Sequence, residues 1–93
     1  MVVVKEMGIT HREFFRTLPR AMDGFRYEVS GQVVRVRTGD KLALIRLGPE
    51  TVRSIASMRL PATRIEFAFS GYTDAEAKEF LDHFDLHFRR GGG

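Results

Sequence analysis

A regular spacing of possible metal ligands marks the C-terminal part of the chain. Glu79, His83 and His87 follow one another at intervals of four residues. On a helix, side chains at this interval lie along one stripe, and a histidine pair so placed can hold a metal ion. The only other imidazole is that of His11, and no second cluster is evident that would complete the coordination. We therefore interpret the stripe as the polar border of an apolar helix face, and we predict no metal and no cofactor.

Catalytic patterns are weaker still. The chain has no cysteine, which excludes disulfides, thiolate nucleophiles and cysteine zinc sites. Its four serines lie outside any nucleophile-elbow pattern, and its glycines form neither a Walker loop nor a dinucleotide-binding fingerprint. The carboxylates fall in helix caps or in solvated alternation. The sequence thus predicts a protein that is not an enzyme.

The chain ends in RRGGG, residues 89–93. Sulfur carriers and ubiquitin-like modifiers end in Gly-Gly, and the arginines before the glycines are similar to those ends. The resemblance implies adenylation and transfer of the terminal carboxylate. Those carriers are β-grasp domains that open with a hairpin, whereas this sequence predicts an early helix and a second helix that runs into the tail. Because glycine commonly ends a helix, we predict a helix stop and a flexible glycine tail at 91–93, with a carrier function as a minor alternative.

Length and composition set broad limits. With 93 residues, 43% of them hydrophobic and 29% charged, the chain is expected to fold as one domain over residues 1–90. The net charge of +3 comes from twelve Arg and three Lys against twelve acids, and this excess favours anionic partners without requiring them. The opening MVVVKEMG is too short an apolar run for a signal peptide or a membrane span, so we expect a cytoplasmic protein.

Two capping boxes predict two helices. Thr10 followed by Glu13 predicts a helix that begins at His11, and Pro19 should end or kink this helix near residue 18. Thr73 followed by Glu76 predicts a second helix over residues 74–90. The apolar stripe of the second helix consists of Ala77, Phe80, Leu81, Phe84 and Phe88.

Alternation of apolar and polar residues predicts the strands. Residues 25–30, 33–37 and 41–47 form a meander of three antiparallel strands, and residues 63–71 form a fourth strand rich in Phe. Residues 2–4 can add a fifth strand at one edge. Residues 49–62 are less regular, and for them we favour a short helix or a turn.

If this alternation holds, one sheet face turns away from the helices and carries mostly arginine. The predicted residues of this face are Arg26, Arg35, Arg37, Arg46 and Arg64, accompanied by Glu28 and Glu66. Guanidinium groups can bind carboxylates of a protein or phosphates of a nucleic acid. They can equally form solvated cross-strand ion pairs with the glutamates, which keep an open sheet from stacking.

Leu42 and Leu44 complicate this face, because strand 41–47 is apolar on both sides. Such a strand is usually covered on both faces or carries a bulge that changes its phase. If the two leucines lie uncovered beside the arginines, they predict a protein interface, most simply that of a homodimer.

The predicted fold is α+β: an antiparallel sheet of four or five strands with two helices packed on one face, in the order β-α-β-β-β-β-α. This order resembles the TATA-binding-protein-like fold, which hosts many unrelated functions. The segment GITHREFFRTLPRA also resembles the opening of small uncharacterised bacterial proteins, a resemblance that implies no activity. We predict a protein-binding domain, self-association included, that acts through the sheet face or an edge. The alternative is electrostatic binding of nucleic acid by the same arginines.

Overall fold

The computed structural model describes the backbone of residues 1–92 and the side chains of residues 1–88. The elements in chain order are β1 (Val2–Met7), α1 (His11–Ala21), β2 (Arg26–Ser30), β3 (Val33–Thr38), β4 (Lys41–Ile55), β5 (Met58–Ser70) and α2 (Asp74–Gly92). The predicted β-α-β-β-β-β-α order is therefore confirmed, with the optional edge strand present. The backbone of α2 continues to Gly92, past the helix stop predicted at Gly91. The flexibility of the glycine tail stays a prediction, and Gly93 lies outside the described residues.

The five strands form one antiparallel sheet in the order β1-β5-β4-β3-β2. The sequential hairpins β2-β3, β3-β4 and β4-β5 give most of this order, and β1 returns to pair with β5 along its whole length. The tight turn between β3 and β4 places Gly39 at a φ of 60°, a conformation that glycine adopts without steric cost. The two edges of the sheet are therefore β1 and β2.

Both helices begin where the capping boxes predict. The backbone N–H of Glu13 donates to the Thr10 hydroxyl at 3.1 Å, and the Glu13 carboxylate accepts from the Thr10 N–H at 3.1 Å. The same reciprocal pair links Thr73 and Glu76, at 3.1 and 2.9 Å. Each box satisfies two donors that the first turn of a helix would otherwise leave open.

Of the two effects predicted for Pro19, an end or a kink of α1 near residue 18, the end does not occur, because the helix continues through Pro19 to Ala21. Proline lacks the N–H that would bond to the carbonyl four residues earlier. The helical pattern resumes directly afterwards, since the N–H of Met22 donates to the carbonyl of Leu18 at 2.8 Å. Ala21 and Met22 are fully buried, so the packing of this last turn outweighs the local cost of the proline.

The core lies between the helices and one face of the sheet. Phe67 meets Phe84 edge to face at a centroid distance of 4.9 Å, and Phe14 stacks on Phe88 at 5.0 Å. The inward sheet positions are Val34, Val36, Ala43, Ile45, Leu47, Ile65, Phe67 and Phe69, each less than a tenth exposed. The predicted phase of β3, β4 and β5 under the helices is therefore confirmed. Val29, expected on the inner side, is 48% exposed, because β2 is an edge strand with a neighbour on one side only.

The short helix or turn favoured for residues 49–62 is wrong. β4 and β5 both continue through this segment and pair from Glu50↔Thr63 to Ile55↔Met58, with a two-residue turn at Ala56 and Ser57. We call this projecting hairpin, residues 50–63, the arm. At about 3.3 Å per residue, strands of 15 and 13 residues account for a molecule that measures 47 × 23 × 22 Å.

Thr51, Val52 and Ile55 are β-branched, which favours extended backbone in the arm. Pro49 lies in a bulge between Leu47 and Glu50, where a missing N–H costs the least. These residue types therefore favour a strand rather than a helix in this segment.

Candidate interaction surface

The outer face is defined as the sheet surface away from the two helices. All seven predicted site residues lie on it: Arg26, Arg35, Arg37, Leu42, Leu44, Arg46 and Arg64. The five arginines are exposed, and the two leucines are half-buried. Arg35 and Arg37 alternate with the fully buried Val34 and Val36, and this alternation points the guanidinium groups to solvent.

The strand register brings the basic side chains of the outer face together at the β2-β3 edge. Arg26 is directly opposite Arg37, and Glu28 is directly opposite Arg35. Arg26, Glu28, Arg35 and Arg37 border a depression of about 510 Å³. Tyr27 also lines this depression, but its side chain belongs to the inner alternation of β2 and packs against the core. This end of the outer face is therefore suited to an anionic group.

Toward β1 the outer face becomes apolar. Leu44 is directly opposite Ala68, and Ala68 is directly opposite Val2 on the next strand. We call these three residues the apolar row. Val2 is 61% exposed, as the outermost residue of the row, and Val4 on the same strand is 44% exposed. No helix of the described chain packs on this side, so the row lies uncovered beside the arginines.

Sequence reasoning missed Val2, Val4 and Ala68. The run VVV is apolar in both strand phases, and the pairing of β1 with β5 joins residues 56 to 66 positions apart. Ala68 could have indicated the apolar row, since a small apolar residue at an outward strand position leaves room for another surface to approach.

The expected cross-strand ion pairs are not formed in the described structure. Glu28 is opposite Arg35 and Glu66 is opposite Arg46 in register, yet the ion pairs within 4.0 Å among residues 1–88 involve other residues. Five arginines against three glutamates, Glu28, Glu66 and the outward Glu6 of β1, give this face a formal charge of +2. The outer face is therefore an apolar row bordered by guanidinium groups that have no close carboxylate.

The arm is a second exposed surface. Residues 50–60 are all exposed, and the large apolar side chains among them are 38% to 59% exposed: Val52, Ile55, Met58 and Leu60. The base of the arm is fastened to the body. His11 donates its backbone N–H to the Glu50 carboxylate at 2.5 Å, and the Nε2 atom of His11 lies 2.6 Å from the carbonyl of Gly48.

A third feature lies on the helix side, where β4 begins. The Lys41 ammonium lies 2.6 Å from the Glu76 carboxylate and 5.5 Å from the centre of the Tyr72 ring. The hydrogen bond between Lys41 and Glu76 raises the pKa of Lys41 and lowers the pKa of Glu76, while burial raises the pKa of Tyr72. These groups border a groove of about 420 Å³ together with Phe25, Thr38, Glu79, Phe80 and His83. Lys41 and Glu76 neutralise each other. We therefore interpret them as a structural ion pair at the side of a groove that is otherwise lined largely by aromatic rings.

The histidine stripe does not form a metal centre within the described residues, where no group of three or more potential ligands comes together. The Nε2 atom of His83 lies 2.9 Å from the carbonyl of Ala21, and the Nδ1 atom of His87 lies 3.2 Å from the carbonyl of His83. A ring nitrogen that faces a carbonyl donates its proton to that carbonyl. His83 therefore connects α2 to the end of α1.

Comparisons with known proteins give no assignment: no family model, no curated protein and no solved structure matches the chain. Within residues 1–92, neither helix combines the length and the apolar character needed to span a membrane. A function for this protein must therefore be inferred from its own surfaces.

Proposed function

We propose that the protein is a non-enzymatic binding domain that engages another protein through the outer face. The observation that carries the proposal is the apolar row of Leu44, Ala68 and Val2, which lies uncovered beside arginines that have no ion-pair partner among residues 1–88. Apolar surface at the centre supplies affinity, and charged groups at the border select the partner and its orientation. The partner that fits is a protein surface with an apolar strip flanked by carboxylates.

The charge of the outer face argues against a homodimer in which two such faces meet. A two-fold interface would bring the +2 charge of one face against the same charge of the second copy, and like charges in contact oppose association. An acidic partner gains from the same arrangement. A different protein is therefore favoured on this face.

Nucleic acid is the second candidate, because Arg26, Arg35 and Arg37 lie close together and guanidinium forks bind phosphate well. Two features count against it. Proteins that bind single strands stack bases on aromatic side chains, and the outward positions of the five described strands carry none. The apolar row would also gain nothing from contact with a phosphate backbone.

A capture experiment from the native host, repeated with purified components, tests this proposal. The double variant Arg35→Glu/Arg37→Glu and the single variant Leu44→Asp should each lose the captured protein. Arg12→Glu/Arg16→Glu is the matched control, since it changes the net charge equally on the exposed side of α1 and should retain the partner. If both outer-face variants capture everything that the unaltered protein captures, the proposal is wrong.

Salt dependence separates the two candidates. Binding to nucleic acid weakens steeply and linearly on logarithmic axes as salt rises, because condensed counterions are released. Binding centred on the apolar row should weaken far less. A steep loss of affinity, together with insensitivity to Leu44→Asp, would favour nucleic acid.

A further inference from the structure

The arm is held in a fixed direction yet covered by nothing else in the described chain. His11 fastens Glu50 and Gly48 at its base, and the guanidinium of Arg53 forms an ion pair with Glu6 of β1. Beyond these contacts β4 and β5 pair only with each other, since β1 ends at Met7, opposite Thr63. An isolated two-stranded hairpin is only marginally stable in water. A covering surface would therefore stabilise the outer part of the arm.

Strand alternation gives the arm two different faces. Ile55 is directly opposite Met58, and Arg53 is directly opposite Leu60, so these four residues share one face because positions two apart point the same way. We call it the apolar arm face. The other face carries Val52, Ser54, Arg59 and Pro61. Three large apolar side chains thus gather on one side of the hairpin and a single one on the other.

Charge decides which surface can cover the apolar arm face. Its one charged residue, Arg53, is already neutralised by Glu6 within the same chain, so the face presents apolar groups without an uncompensated charge. Such a surface is complementary to itself: apolar side chains pack on apolar side chains, and no like charges meet. The outer face lacks this property, because none of its arginines has a partner within 4.0 Å among the described residues.

We propose that two copies of this chain associate through their arms. Across a two-fold axis, Ile55, Met58 and Leu60 of one copy pack on the same residues of the other, an isologous contact in which each residue set is its own partner. Arg59, on the opposite face of each arm, remains in solvent. Met58 and Leu60 are separated from Ala68 by even numbers of residues along the continuous strand β5, so the apolar arm face lies on the same side of the sheet as the outer face. The inference concerns other residues than those proposed to bind the partner of the outer face.

The contact is small, which sets its expected strength. Stable complexes bury roughly 800 Å² on each partner, and three side chains at the end of a hairpin supply less than this. We therefore expect a reversible dimer that dissociates as the protein is diluted through the micromolar range.

Sedimentation equilibrium over a wide concentration range gives the first test. The unaltered chain should pass from monomer to dimer, and Ile55→Thr/Met58→Thr should weaken the dimer by at least about tenfold, the effect of ~1.4 kcal/mol. Threonine keeps the strand preference of the arm. The matched control Val2→Thr/Val4→Thr removes two exposed apolar side chains from the outer face and should leave the dimer unchanged. A chain that is still monomeric at millimolar concentration overturns the proposal, as does a dimer that only the control weakens.

The absence of cysteine permits a second, geometric test. Met58→Cys places one thiol on the apolar arm face, and Val52→Cys places one on the other. Under mild oxidation the first variant should form a disulfide-linked dimer much faster than the second. Equal rates, or a faster reaction of Val52→Cys, contradict the proposed contact even if the chain dimerises by another surface.

Discussion

The two halves of the β4-β5 ribbon have the same backbone pairing and different surroundings. From Leu42 to Arg46, β4 has β3 on one side and β5 on the other, with the core beneath it. From Glu50 to Ile55 the same strand has β5 alone. Ile45 is fully buried and Ile55 is 54% exposed. Neighbouring elements, rather than hairpin pairing, therefore decide how much each half contributes to the stability of the fold, and the half beneath the helices contributes more.

The largest expected difference comes from the same substitution at two positions of β4. Ile45→Ala leaves a cavity in the core and should lower the free energy of unfolding by roughly 2–5 kcal/mol. Ile55→Ala, at an exposed position, should change it by less than about 0.5 kcal/mol at concentrations where the chain is monomeric. Urea unfolding of both variants measures the two values. Similar losses would mean that the arm is as much a part of the core as the body of the sheet.

A second pair of substitutions compares two threonine hydroxyl groups, one at the buried base of the arm and one in its exposed part. The buried Thr63 hydroxyl donates to the carbonyl of Ile9 at 2.7 Å, whereas that of Thr51, in the exposed arm, donates to the carbonyl of Ala62 at 3.1 Å. Thr63→Val leaves a buried carbonyl without its donor and should cost about 1–3 kcal/mol. Thr51→Val should cost less than about 0.5 kcal/mol, because water can replace an exposed donor. Thermal unfolding checks both, and an equal loss would contradict the distinction between the buried base of the arm and its exposed part.

A smaller effect is expected at the turn of the arm. Ala56 has a φ of 55°, which costs a residue with a Cβ atom roughly 1 kcal/mol. Ala56→Gly should relieve this strain and slow hydrogen exchange at the paired amides of the arm. Ser57→Gly is the control, since Ser57 has no positive φ. Faster exchange in Ala56→Gly would show that added backbone freedom outweighs the relief.

The smallest expected effect concerns the ion pair between Lys41, the first residue of β4, and Glu76. The pKa of Glu76 is lowered, so its stabilisation is present above the usual carboxyl pKa of about 4.3 and is lost as the pH falls through the lower folded value. The pKa of Lys41 is raised, so its stabilisation is present below about 10.4 and is lost as the pH rises through the higher folded value. Glu76→Gln should reduce both slopes in a plot of stability against pH.

Lys41→Met provides the control for this last experiment. If the two side chains act as one pair, Lys41→Met/Glu76→Gln should match either single variant in its pH profile. A double variant with an additive loss would show that each residue acts through other contacts.

The sequence predicted most where the decisive interactions are local. Thr10 with Glu13, and Thr73 with Glu76, are three residues apart, and both caps form as expected. The alternation around Val34 and Val36 was also sufficient to orient Arg35 and Arg37, because a buried residue fixes the direction of its neighbours in a strand.

Long-range packing explains what the sequence did not reveal. The helix continues past Pro19 because Ala21 is buried, and no residue near Ala21 in the sequence indicates that burial. The arm depends on the pairing of β4 with β5, and short mixed segments such as Val52–Ile55 fit helix and strand periods almost equally. The apolar row required the knowledge that β1 lies beside β5, which alternation within either strand cannot supply.

The bulge at Gly48 and Pro49 has an evolutionary consequence. β4 advances three residues between Leu47 and Glu50 while β5 advances two between Ile65 and Thr63, so odd-numbered side chains of β4 exchange sides there. A Cβ atom on Gly48 would lie 3.2 Å from the carbonyl oxygen of Arg64, which leaves little room for another residue. Loss of one codon at this point would restore one-to-one pairing of β4 with β5, and Ile55 would stay opposite Met58, because the continuous strand β5 sets the two sides of the hairpin. A lineage could thereby lose the bulge without changing the surface that its hairpin displays.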